Sequence, residues 1–134
     1  MKTGAAIRLL LVGGCDATED VSAALGGSPA VEVIGEVGTC DEAVAATREL
    51  SPDVVLMLMD GMLPGTDGID AAGAITETRP WVRVVVVTRN VVRYLIPAVK
   101  AGVAGILSPD ISSDELLSAI RRIHQWTPYS LSVQ

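Results

Sequence analysis

The stretch that decides the fold is residues 53–60, Asp-Val-Val-Leu-Met-Leu-Met-Asp, followed by Gly-Met-Leu-Pro-Gly-Thr-Asp-Gly at residues 61–68. Its first part is an unbroken apolar run, which is typical of a strand buried on both faces, because a strand with one wet face alternates. The run ends at Asp60, and the glycines and proline after it favour turns. We therefore expect the central strand of a parallel sheet with a lone carboxylate at its carboxyl end, where open α/β sheets bind ligands. Such a carboxylate can be a metal ligand, a nucleophile or a buried cap.

Strands and helices alternate on both sides of this run. Four further strands are predicted at residues 7–12, 31–37, 82–88 and 105–107, and a helical pattern follows each of the five strands. This alternation predicts an α/β fold: a flavodoxin-like, doubly wound, five-stranded parallel sheet of order 2-1-3-4-5 with five helices. In that order the ends of the first, third and fourth strands are neighbours. Gly13, Gly14, Asp60 and Thr88 would then define a site.

Composition excludes several classes of function. The chain has 134 residues and a net charge of -6, which argues against nucleic-acid binding by this chain alone. The first apolar segment is too short to cross a membrane, and Cys15 and Cys40 lack metal-ligand spacing, so we expect a cytoplasmic protein with free thiols. We also expect no enzyme activity, because the chain has no Walker-type phosphate loop, nucleophile elbow or metal-ligand cluster.

Five motifs in the right order carry a resemblance to a known family. They are Asp60, the following Pro64-Gly65, Thr88 after a Val-rich strand, residues 101–107, and the helix start at residues 112–117. Together they resemble the receiver (CheY-like) domain of bacterial two-component response regulators. Segments 31–37 and 51–56 are similar to the LuxR/NarL-type subfamily, which carries a C-terminal helix-turn-helix domain. On this basis residues 1–6 are an N-terminal lead, residues 7–124 the receiver domain, and residues 125–134 a tail or the start of an interdomain linker.

The resemblance implies a phosphate site at the strand ends. It makes Asp60 the candidate acceptor of a phosphoryl group from a histidine kinase, with Thr88 and Gly61 in the phosphate pocket. It also implies a requirement for Mg²⁺, a hard ion that prefers carboxylate, water and phosphate oxygens. Asp60 and Asp16 are the candidate metal ligands.

The chain departs from the family pattern at four positions of that pocket. Gly13 and Gly14 stand where the family has a pair of acids, Pro109 replaces a phosphate-contacting Lys, and Ile106 occupies an aromatic switch position. The chain therefore resembles an atypical receiver with a degenerate acidic pocket. We expect no cofactor, with Mg²⁺ required only if phosphorylation occurs.

Three assignments stay open from the residues alone. Counting back from Pro64 makes Asp60 the acceptor, which we favour, whereas counting forward from Pro52-Asp53 places the acceptor position on Leu58 and leaves no acceptor. Asp16 precedes Glu19 in a capping-box pattern, so we expect a helix N-cap rather than a metal ligand. Thr88 could orient a phosphoryl oxygen, but without a phosphate we favour a hydroxyl bonded to nearby backbone.

Three functions follow, in order of preference. The first is an atypical receiver that controls transcription without phosphorylation, through dimerisation or another interaction. The second is a phospho-accepting receiver in a phosphorelay, using Asp60 and weakly bound Mg²⁺. The third is a small-molecule sensor with a neutral, glycine-lined cleft at the strand ends. The expected partners are a second copy and, for the second function, a histidine kinase. DNA would be bound only through a helix-turn-helix domain outside this chain, and no membrane contact is expected.

Overall fold

The computed structural model describes residues 6–59 and 68–125, and of residues 15–18 the backbone alone. Its five strands are β1 Ile7–Val12, β2 Val31–Val37, β3 Val54–Leu58, β4 Arg83–Val87 and β5 Gly105–Leu107. Its five helices are α1 Cys15–Leu25, α2 Cys40–Leu50, α3 Gly68–Thr78, α4 Val91–Lys100 and α5 Ser113–Gln125. Residues 1–5 of the N-terminal lead, Asp60, Gly61, Pro64-Gly65 and the tail from residue 126 lie outside the described residues.

All strand pairs are parallel, and the sheet order is β2-β1-β3-β4-β5. This confirms the predicted fold class and topology. The apolar run at residues 54–58 forms the central strand, and all five of its residues are buried. Its alternate side chains enter two separate cores, which explains why the run contains no polar residue.

Each core lies between one face of the sheet and a set of helices. Leu56 and Leu58 point to the face covered by α1 and α5, where Leu116, Ile120 and Ile123 supply the apolar stripe of α5. The opposite face packs against α2 and α3. Among the described helices, none is long and apolar enough to cross a membrane.

Two helices begin with reciprocal caps. At α2 the backbone N–H of Glu42 donates to Thr39 Oγ1 (3.1 Å), and the Glu42 carboxylate accepts from the Thr39 N–H (3.2 Å). At α5 the Glu115 N–H donates to Ser112 Oγ (3.1 Å), and the Glu115 carboxylate accepts from the Ser112 N–H (2.9 Å). These bonds satisfy N–H groups that no helical carbonyl can reach.

Replacing Ser112 with alanine is expected to lower the free energy of unfolding by about 1 kcal/mol, the usual worth of an N-cap side chain. The Ser112 backbone N–H, then its side chain, hold the pKa of Glu115 below its ordinary value of 4.5. A lowered pKa stabilises the fold at pH values above the unfolded pKa, and this contribution is lost as the pH falls through the folded pKa. An NMR titration of Glu115 should show its pKa closer to 4.5 in Ser112→Ala than in the native chain. Thr39→Ala is the matched control, since it removes the cap of α2 and should leave Glu115 unchanged.

Candidate functional site

The carboxyl ends of the strands form one edge, and the strand register aligns them. Val12 pairs with Met57, Leu58 pairs with Val87, and Val87 pairs with Leu107. Gly13, Thr88 and Ser108 follow the ends of β1, β4 and β5, so the sequence prediction that strand ends meet at one edge is confirmed for these residues.

Leu58 is the last residue of β3 and lies beside Gly13. A Cβ atom added at Gly13 would lie 3.0 Å from Leu58 Cβ and 3.4 Å from Leu58 Cδ1, closer than the best carbon contact distance of about 3.5–4.0 Å. Leu58 is 6% exposed. The side chain of Leu58 thus occupies the space next to residue 13, and the glycine allows that approach. Counting forward from Pro52-Asp53 had placed the phosphoryl acceptor at this residue. The role of Asp60 stays a prediction.

Helix α1 begins two residues earlier than the sequence suggested. It starts at Cys15 with Gly14 as N-cap in an extended conformation (φ -67°, ψ 156°) and without a side-chain cap bond. The prediction that Asp16 caps this helix is therefore wrong, because Asp16 is already inside the first turn. The side chain of Asp16 is outside the described part, so its candidate role as a metal ligand stays untested.

Thr88 is fully buried at the end of β4. Its hydroxyl oxygen accepts the backbone N–H of Asn90 at 3.0 Å, and its own N–H donates to the Leu107 carbonyl at 2.9 Å. The expected bond between this hydroxyl and nearby backbone is confirmed. A role in orienting a phosphoryl oxygen, as proposed for Thr88 together with Gly61, remains a prediction.

The loop after β5 carries no cation at the expected place. Pro109 is exposed, and in front of it the Ser108 hydroxyl accepts the Asp110 N–H at 3.3 Å. Ile106 is half-buried in β5 and packs against the core on the α2–α3 side. A proline and an aliphatic side chain thus lie where a phosphate-binding Lys and an aromatic switch were sought.

The described part of this edge does not fit Mg²⁺. Within it no group of three His, Cys, Asp or Glu side chains could hold a metal ion. The glycines after β1 offer no side-chain oxygen, and the hydrocarbon of Leu58 lies against Gly13. Hard divalent ions need several oxygen ligands. The two candidate carboxylates, Asp16 and Asp60, fall outside the described side chains.

A cavity of about 420 Å³ opens next to these strand ends, on the α1–α5 side of the sheet. Leu58, Val87 and Leu116 form much of its wall, and Asp20 and Arg89 bring the charges. Sequence reasoning missed this cavity, since it expected a glycine-lined cleft. Gly13 and Gly14 are not among the residues that line this cavity, and the glycine-lined cleft stays a prediction. The signals for the cavity in the sequence were Leu58 and Pro109, apolar residues at positions where the family has charged ones.

Helix α4 exposes an apolar stripe. Its members recur at positions i, i+3, i+4 and i+7, so they share one face of the helix. They are Val92 (91% exposed), Leu95 (44%), Ile96 (64%) and Val99 (68%). Ala98 on the other side is buried, and α4 contacts α3 and β5. Contiguous exposed apolar side chains of this kind mark interaction surfaces.

Comparisons with known proteins agree with this geometry. A family model described as the response regulator receiver domain matches residues 16–121. Among curated proteins, the transcriptional regulatory protein DesR of Bacillus subtilis (strain 168) is 36% identical over 93 residues, covering 69% of this chain and 45% of DesR. LiaR of the same organism is 32% identical over 124 residues, covering 91% of this chain and 58% of LiaR. The chain thus spans about half the length of the curated relatives it matches.

A solved structure gives the same result for the fold. The signal receiver domain of the response regulator NarL from Mycobacterium tuberculosis superposes with a TM-score of 0.83 at 25% identity. The match covers 91% of this chain and 98% of that domain.

Proposed function

The chain belongs to the response regulator receiver domain family, and we propose that it is the receiver of a transcriptional regulator that switches without phosphorylation of Asp60. The observation that carries the proposal is the position of Leu58. A buried leucine ends β3, and its Cβ lies against the place where a side chain on residue 13 would begin. The leucine and Gly13 fit each other, since a side chain at residue 13 would crowd Leu58 and require a shift of a few tenths of an ångström.

The charge of a phosphoryl group supports the same conclusion. Phosphorylation would replace the single negative charge of the Asp60 carboxylate with a phosphoryl group that carries about two, a net gain of about one negative charge. A receiver that accepts this group offsets the charge with Mg²⁺ and a Lys. In this chain Pro109 replaces the Lys, and the described edge does not fit the ion. Charge without a partner near a buried apolar wall is costly, so we propose that a phosphorylated state is too unstable to serve as the signal.

Treatment with acetyl phosphate and saturating Mg²⁺ is expected to add no phosphoryl mass to the chain, as read by intact mass spectrometry. A receiver with the acid pair and the Lys serves as the positive control for the phosphodonor. Asp60→Asn is the matched variant. If the native chain gains a phosphoryl group and Asp60→Asn does not, then the phospho-accepting function is right and the proposal is wrong.

Output through contact with another molecule is the second part of the proposal, and the exposed stripe of α4 supports it. DesR and LiaR are named transcriptional regulatory proteins. By analogy we propose that this domain controls a DNA-binding domain by pairing with a second copy. An apolar face of this kind can pack against the same face of a second copy across a two-fold axis. The proposed role is binding rather than catalysis.

A further inference from the structure

We infer that the cavity beside Leu58 binds a small, uncharged and mainly apolar organic molecule, and that this molecule replaces phosphorylation as the signal. The inference rests on the proposed function, since a pocket that received a phosphoryl group would not be apolar. The cavity volume, about 420 Å³, falls within the range of about 300–1,000 Å³ that is usual for small-molecule sites.

The wall of the cavity comes from four parts of the fold. Val21 of α1, Leu58 of β3, Val87 of β4 and Leu116 of α5 converge on it. Leu58 and Val87 are paired strand residues and therefore rigidly placed. A site built from strands and helices around a shared apolar space suits the body of an apolar ligand, whose burial is favourable by about 25 cal/mol per Å².

The polar groups of the cavity set the charge of the ligand. Asp20 and Arg89 are exposed and carry opposite charges, so together they give this part of the wall no net charge. Ser108 also lines the cavity, and its hydroxyl accepts the Asp110 N–H. An uncharged ligand with one hydrogen-bonding group is compatible with all three residues. Asp20 would repel an anion, and Arg89 would repel a cation.

The location of the cavity couples it to the rest of the domain. Its walls include Ser108, Pro109 and Ile111, which connect β5 to α5. Thr88, which begins the segment leading into α4, bonds to Leu107 immediately before that loop. A ligand that fills the cavity would therefore touch the segment between the two last helices. If α4 has two arrangements, the ligand shifts the equilibrium between them by no more than the difference between its affinities for the two.

N-phenyl-1-naphthylamine, an uncharged and mainly apolar fluorophore, tests the site in the full chain. We expect saturable binding at one site, with NMR shift changes centred on Leu58, Val87 and Ser108. Val21→Phe, which adds a ring at the wall of the cavity, should weaken binding by about tenfold or more. Val44→Phe is the matched control, because Val44 is also a half-buried helical valine but packs on the opposite face of the sheet. Ile111→Trp adds bulk to the cavity from another wall. It serves as the test variant if Val21→Phe has a much lower melting temperature than the native chain.

Three results would overturn the binding site, and a fourth would overturn the uncharged class of ligand. One is the absence of saturable binding; another is equal weakening by Val21→Phe and Val44→Phe. The third is loss of binding in Ile96→Glu alone, which would place the dye on the exposed stripe of α4. Much tighter binding of the sulfonated analogue 8-anilinonaphthalene-1-sulfonate would overturn the uncharged class of ligand. None of these results bears on phosphoryl transfer, so failure of the ligand site and failure of the proposed function remain separate.

Discussion

Leu58→Asp is expected to lower the free energy of unfolding at neutral pH by about 3–5 kcal/mol, the range of severe core substitutions. Leu58 is buried against Gly13 and belongs to the same core cluster as Leu56, Val87 and Leu116. The substitution removes apolar contacts and places a carboxylate within this apolar cluster. In a receiver that accepts phosphate, an aspartate here would instead be held by Mg²⁺ and Lys. Urea denaturation at neutral pH measures the change.

Leu58→Asn is the control that separates charge from shape. It has nearly the same size and polarity as the aspartate but no charge. Burial raises the pKa of the new carboxyl group above its unfolded value of about 4. The extra destabilisation of Leu58→Asp over Leu58→Asn should therefore be absent below the unfolded pKa and complete above the folded pKa. If Mg²⁺ restored Leu58→Asp to native stability, the strand ends would still hold a cation and the proposal of a phosphate-independent receiver would fail.

The sequence predicts the elements of this fold well because their cause is local. The apolar run at residues 54–58 is buried on both faces, and the centre of a parallel sheet covered by helices provides that environment. The caps of α2 and α5 are equally local, since each depends on a hydroxyl and a glutamate three residues later. These features require no knowledge of the neighbouring strands.

The end of β3 could not be predicted, because pairing decides it. Counting forward from Pro52-Asp53 placed the acceptor position at Leu58, whereas counting back from Pro64 placed it at Asp60. In the sheet, β3 pairs with β1 from Val54 onward and with β4 up to Leu58, and the strand ends there. The start of α1 is a similar case. A pattern of Asp16 followed by Glu19 suits a cap, but acids also suit a first helical turn.

The cavity and the exposed stripe exist because neighbouring elements leave some side chains uncovered. The packing of distant segments decides this, and a single sequence does not record it. The helical pattern of α4 was visible in the sequence, but its bare face exists because α3 and β5 cover only the side of Ala98. In the same way, Val21, Leu58 and Leu116 are far apart in the chain. Each alone is consistent with an ordinary core position.

Ile96→Glu is expected to weaken self-association of the chain by about 30-fold or more, corresponding to about 2 kcal/mol at an interface hot spot. Ile96 lies between Val92 and Val99 on the exposed stripe, so it would be central in a contact between two copies. In a two-fold contact each substitution occurs twice, and two like charges then face each other across a desolvated surface. Sedimentation velocity over a range of concentrations measures the effect. The fold should be unchanged, because Ile96 is 64% exposed.

Ala24→Glu gives the comparison that locates the contact. It makes the same change in charge at an exposed residue of α1, on the other side of the sheet. Ala24 lies on α1 and is not part of the exposed stripe of α4. We expect Ala24→Glu to associate like the native chain. Loss of association in Ala24→Glu together with normal association in Ile96→Glu would assign pairing to α1 and α5. The apolar stripe of α4 would then have no part in joining two copies.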